Sequence, residues 1–285
     1  MAIIDWARLA QPQADGYDSG ILNTLAHARD GWVKRSPPTA VTLCDKTVAV
    51  YGGVPAHANA ALAGCVLGLA GGKAVAATAN EITLVWAESC RPYLETWAAG
   101  YTALQAHLDE LWCFWRHAPG RGSASTHAAA VTKTSYPYHA IAVTGQDPNG
   151  LAQGIYHEYA HLRLRALGID IETHDGRLLL NASDELYTSS VRKDKKRPMS
   201  AVLHGAYMQL MLTENDYQNY THGLLSYTDF LAYTAHHMQQ IETGTVEIRQ
   251  HGRFTEDGQR FIDGVFAWAD DLIARCTAVY SENGA

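Results

Sequence analysis

The sequence predicts an α+β fold, with a mixed first half and a mainly helical second half. Three observations lead there. Residues 41–51 and 75–86 are rich in Val and Thr, and the first stretch alternates before Gly52-Gly53, as strands do. Beyond residue 150 one helical segment follows another. The composition, 47% hydrophobic and 18% charged, is that of a chain with a packed core.

In chain order, residues 20–35 read as a short amphipathic helix stopped by Pro37-Pro38. A long helix is predicted over 92–116, because Trp97, Tyr101, Leu104, Leu108, Leu111 and Trp115 recur at three- and four-residue steps. That stripe serves core packing. Residues 120–134, rich in Gly, Ser, Thr and Ala, read as a loop between two lobes, and residues 138–143 as a strand. Asp147-Pro148-Asn149-Gly150 is a turn, and the helix after it ends near Gly168, a C-cap glycine. Further helices are predicted at 200–212, 227–242 and 258–279. The division is residues 1–145, an α+β lobe, and residues 146–285, a helical lobe.

Charge and cysteine content narrow the function. A net charge of -7 argues against a nucleic-acid partner. The five cysteines are widely spaced with no C-x-x-C, which argues against disulfides and fits a reducing compartment. Residues 1–10 carry Asp5 and Trp6 where a signal peptide needs a basic start, and the apolar stretch 60–72 is too short for a membrane span. The expectation is a cytoplasmic protein without a membrane partner; its oligomeric state is not readable.

The chemistry centres on His157-Glu158-Tyr159-Ala160-His161, an HExxH sequence. Histidines four apart on a helix are separated by one turn plus about 40 degrees, so both imidazoles can grip one ion from a rigid support. Glu158 sits beside that ion and in a zinc hydrolase takes a proton from metal-bound water. A third ligand is needed. The candidates are His204, Glu185 (twenty-four residues after His161), His174 and the pair His236-His237. A thermolysin-like arrangement favours Glu185. The metzincin pattern is excluded, because Leu162-Arg163-Leu164 follows His161 where that pattern needs a glycine and a third histidine.

Residues 154–161, Gly-Ile-Tyr-His-Glu-Tyr-Ala-His, are followed by Arg192-Lys193-Asp194-Lys195-Lys196-Arg197-Pro198 and by Val202-Leu203-His204-Gly205-Ala206-Tyr207. This combination resembles the HExxH-motif proteins of ribosomal peptide natural-product pathways, and within them the 2-oxoglutarate-dependent peptide β-hydroxylases. The resemblance spans about residues 150–212, and the lysine-rich stretch 193–196 departs from the mixed loop of that group. It implies a non-haem Fe(II) oxygenase that uses 2-oxoglutarate and O2 to β-hydroxylate a side chain of a precursor peptide. The implied ligands are His157, His161 and His204, although the usual oxygenase set has a carboxylate in one position, and Glu158 or Glu185 suits that role. The distal carboxylate of 2-oxoglutarate calls for an arginine. Arg197 is favoured, Arg192 lies beside it, and Arg165 is in reserve. Tyr156, Tyr159 and Tyr207 are read as packing residues near the motif. Two other readings stand beside this one: a zinc metallopeptidase with Glu158 as general base, and a non-catalytic peptide-binding protein.

Overall fold

A computed structural model describes residues 4–30, 40–43, 46–52, 74–76, 89–116, 140–144 and 148–284. The expected loop at 120–134, the prolines at 37–38 and most of the expected strand at 75–86 lie outside these residues. The fold is α+β, as the sequence predicts.

The first half holds a 3-10 turn (Arg8–Ala10), helix α1 (Tyr17–Asp30) and helix α2 (Ala98–His107). Residues 89–95 are also helical. Strands β1 (Ala40–Leu43), β2 (Lys46–Gly52), β3 (Ala74–Ala76), β4 (Glu110–Arg116) and β5 (Ala140–Thr144) form one mixed sheet. β4 runs parallel to β2 and β5 and antiparallel to β3.

The strand β4 corrects the sequence reading, which ran one helix through to residue 116. The helix ends at Leu108, whose backbone is already extended. The run Glu-Leu-Trp-Cys-Phe-Trp-Arg that follows is rich in aromatic residues that suit a pleated surface. Leu111 and Trp115 continue the helical spacing by coincidence; strand partners on both sides decide the outcome.

The second half is a layer of long helices. Helix α3 (Pro148–Ala166) carries the HExxH sequence and starts on a proline, which needs no N–H at that position. Helices α4 (Met199–Thr221), α5 (Tyr227–His251) and α6 (Glu256–Glu282) follow, each longer than its sequence pattern suggests. Ser226 and Thr255 cap α5 and α6 by accepting from the backbone N–H groups of Asp229 and Gly258. A short hairpin of β6 (Leu186–Tyr187) and β7 (Arg197–Pro198) leads into α4.

Side-chain pairs fix the order of these helices. Asn149, Gln153, His161 and Arg163 of α3 meet Asn219, Asp216, His204 and Tyr207 of α4, so the two helices run antiparallel. Gln209 and Asp216 of α4 meet Gln240 and His237 of α5, again antiparallel. At Gly244 an added Cβ would stand 2.8 Å from that of Ala206, so the glycine permits the close approach of α5 to α4. The middle helix, α4, therefore touches both neighbours along most of its length.

One apolar cluster holds these parts together. It includes Trp6, Leu9 and Leu22 near the start of the chain, Ile155 and Tyr156 of α3, Val202 of α4 and Phe261 of α6. The core thus crosses residue 145. Cys90 and Cys276 are free and buried within it, and burial pushes both thiols up to about 12. Among the described residues, no helix is long and apolar enough to cross a membrane.

Candidate metal centre

Helix α3 is nearly all buried, and His157 and His161 are its partly exposed positions within the motif. Their spacing brings the rings to one face, with centroids 5.1 Å apart. One donor atom from each of His157, Glu158 and His161 lies within 4.8 Å of the others. This is the one such group of three or more metal-binding side chains among the described residues. Glu158 is buried, and its Oε1 lies 3.3 Å from His157 Nε2 yet has no hydrogen-bond partner. Burial pushes its carboxyl well above the usual carboxylate range. Two imidazoles suit a divalent first-row ion, and the orphaned carboxylate oxygen beside them suits a group that exchanges a proton there.

The hydrogen bonding of His161 selects the nitrogen it can offer. His204, on α4, lies with Nε2 2.9 Å from the carbonyl oxygen of Ile169 and Nδ1 2.8 Å from Nδ1 of His161. A carbonyl only accepts, so His204 carries its proton on Nε2. Its Nδ1 then holds a lone pair and accepts from the Nδ1–H of His161. The remaining lone pair of His161 is on Nε2, the atom left for a metal. Burial, and then the charges of His204 and His157, hold His161 well below its ordinary value; burial brings His204 down to about 4.

The carbonyl of Ile169 is itself placed by the end of α3. Gly168 has φ +86, and the N–H groups of Gly168 and Ile169 bond back to the carbonyls of Arg165 and Leu164. This is the Schellman reversal, and it turns Ile169 towards α4. The C-cap glycine read from the sequence therefore also positions the site.

The structure brings together His157, Glu158 and His161, and sets the other expected residues elsewhere. His204 lies outside the group of atoms within 4.8 Å of one another and stands against His161, its Nδ1 on that ring and its Nε2 on the carbonyl of Ile169. Glu185 donates nothing to the centre either. It pairs with Arg253 at 2.7 Å and accepts from Tyr187, and the Arg253 bond leads in lowering its carboxyl to about 2. His174 spends both nitrogens locally, on the carbonyl of Asn181 and the N–H of Gly176. Arg192 is 51% exposed and forms a two-pronged pair with Asp194. Arg197 pairs with Glu172, but is only 14% exposed and keeps a buried Nε without a partner. Arg165 is buried 3.6 Å from Asp170.

The three tyrosines near the motif have structural roles. Tyr156 donates to the carbonyl of Leu94, Tyr207 accepts from Arg163 Nε, and Tyr159 meets His107 Nδ1 at 2.7 Å. Arg163 is at the middle of this network. Its guanidinium also donates to the buried carboxylate of Asp18 on α1 and to the carbonyl of Leu9. The N-terminal segment is thereby tied directly to helix α3. Sequence reading missed this arginine's partner, because no local signal marks a contact between residues 145 positions apart.

The chain matches no protein-family model, and no curated protein is significantly similar to it in sequence.

Proposed function

We propose that this chain is a cytoplasmic metal-dependent enzyme: a non-haem Fe(II)/2-oxoglutarate oxygenase that β-hydroxylates a side chain of a ribosomally made precursor peptide. The observation that carries the reading is the group of His157, Glu158 and His161 on one buried helix, with the tautomer of His161 set from behind by His204. Ordinary surface histidines have no such support. In this reading His157 and His161 hold the ion, and Glu158 is the adjacent group that gives or takes a proton. Iron with 2-oxoglutarate and O2 would supply the oxidising chemistry that puts oxygen into a C–H bond.

The co-substrate and the peptide come from the resemblance of residues 150–212 to the peptide β-hydroxylases. On this chain Arg197 is the better partner for the distal carboxylate of 2-oxoglutarate. It is shielded from water and has an unspent donor, whereas Arg192 is exposed and neutralised by Asp194. The test is anaerobic loading with Fe(II) followed by optical titration with 2-oxoglutarate. A weak visible charge-transfer band that saturates is the expected result. Absence of the band from iron-loaded protein would sink the oxygenase reading.

One observation favours a second reading, a zinc metallopeptidase: the free Oε1 of Glu158 beside His157 suits a general base. Its expected third ligand, Glu185, is spent on Arg253 and Tyr187. Glu158→Gln decides the matter for a peptidase, since cleavage would vanish while the metal stayed bound.

A further inference from the structure

Two buried polar atoms outside the His157–Glu158–His161 group face each other without a bond. His237 of α5 directs Nδ1 towards Oδ2 of Asp216 on α4, at 3.7 Å, too far for a hydrogen bond. Neither atom has a hydrogen-bond partner. Asp216 is wholly buried, and its other oxygen accepts from Nε2 of Gln153 at 2.7 Å. A buried carboxylate and imidazole left half-satisfied inside a helical layer are costly, and apolar side chains would pack there more cheaply.

Their place in the fold gives them a use. Gln153, His157 and His161 stand one turn apart along a single stripe of α3. Asp216 is fixed at the Gln153 end of that stripe, as His204 is fixed at the His161 end. His237 leans on Asp216 from the neighbouring helix, and the charge of His157 acts on its ring, so it stands between the Gln153 end of the stripe and His157. Because its Nδ1 faces the carboxylate, its Nε2 is on the far side of the ring.

We propose that His237 is the third protein ligand of the metal held by His157 and His161, binding through Nε2, while Asp216 accepts its Nδ1–H. The proposal rests on the metal-centre reading above. Metal-binding histidines regularly donate their second N–H to a carboxylate, which fixes the ring and strengthens it as a ligand. The adjacent His236 is not equivalent, since its Nε2 is 2.8 Å from Gln240 Nε2, and Gln240 in turn accepts from Gln209. The complete set then spans three helices. α3 gives two ligands, α5 gives one, and the middle helix α4 gives the two supports, His204 behind His161 and Asp216 behind His237. His237 lies outside the tight group, so ligation draws its ring in towards His157.

The test is Co(II) binding to the full chain, read by competition with a chromophoric chelator and by the visible Co(II) spectrum. Wild-type protein is expected to bind one equivalent. Asp216→Asn should weaken binding by about 10–100-fold, and His237→Ala and His237→Gln by more, with a changed Co(II) spectrum. His236→Ala should stay within about twofold of wild type, since that residue is exposed and its ring is turned to Gln240. Circular dichroism checks the fold, and the shape-conserving His237→Gln and Asp216→Asn keep the test valid if the alanine variant misfolds. If both His237 variants bind as wild type does while His157→Ala abolishes binding, the ligand assignment falls and the metal centre stands. If wild-type protein binds no Co(II), both fall.

Discussion

His161 and His204 meet through their Nδ1 atoms at 2.8 Å, and the carbonyl of Ile169, on the other side of His204, determines which ring donates. The arrangement keeps His161 in the tautomer that leaves Nε2 free. His204→Ala removes the acceptor and lets the His161 ring rotate. Metal affinity should drop by about 10–100-fold with little change in secondary structure. Chelator competition measures it. Unchanged affinity would mean that His204 is only a core residue.

Arg163 and Asp18 form an ion pair that is almost entirely buried and well hydrogen-bonded. Removing one partner leaves the other charged and unpaired, at a cost of about 3–5 kcal/mol. Asp18→Asn should therefore lower the urea midpoint strongly although residue 18 is remote from the motif in sequence. A shift below about 1 kcal/mol, the size seen for exposed pairs, would show that the pair is not sealed from water.

Mild acid should weaken the metal-free protein. Burial lowers His204 and His237 to about 4 each, against 6.5 for a free side chain, and holds His161 well below its ordinary value too. Below pH 6.5 the unfolded chain takes up protons that the folded chain refuses. Their full contribution is therefore present above pH 6.5 and is lost as pH falls towards 4, by roughly 3 kcal/mol for each of the two histidines at about 4. Asp216 acts the other way. Burial raises it to about 7 from 3.8, so it favours the folded state increasingly over the same fall in pH. Glu158, also raised by burial, acts as Asp216 does, and the three histidines outweigh these two carboxyls. Urea midpoints measured from pH 7 to 4.5 should fall, and a rise would contradict this balance.

Arg197 and Arg192 lie five residues apart but should differ in effect. A buried charged hydrogen bond contributes about 1.5–3 kcal/mol, so Arg197→Ala should raise the half-saturating 2-oxoglutarate concentration by roughly 10–100-fold. Arg192→Ala, at an exposed residue paired with Asp194, should change it less than about twofold. Equal effects would remove the assignment of Arg197.

The parts legible in the sequence are those set by local spacing. His157 and His161 share a face because helical geometry requires it, and Gly168 ends the helix because its positive φ suits glycine. The strand β4 was not legible, since its apolar residues also fit a helical period and only pairing with β2 and β5 settles the question. His204 shows a different limit. Sequence places a histidine near the centre but does not tell which nitrogen meets which partner, and that decides between ligand and support. Asp216 gives no local sign at all. It stands among polar residues late in a long helix, and its meeting with Gln153 and His237 follows from the antiparallel register of three helices.

That register sets what distant kin of this chain would share. The five-residue motif is short enough to arise by chance, whereas the residues gathered around it are spaced by helix geometry within each helix: Gln153 four before His157 on α3, and Asp216 twelve after His204 on α4. Deleting one residue between His204 and Asp216 would rotate one support against the other by about 100 degrees, whereas the turn joining α4 to α5 has no such constraint. The heritable signature of this centre is thus a set of fixed intervals within helices and free intervals between them, and it can persist after most of the surrounding sequence has changed.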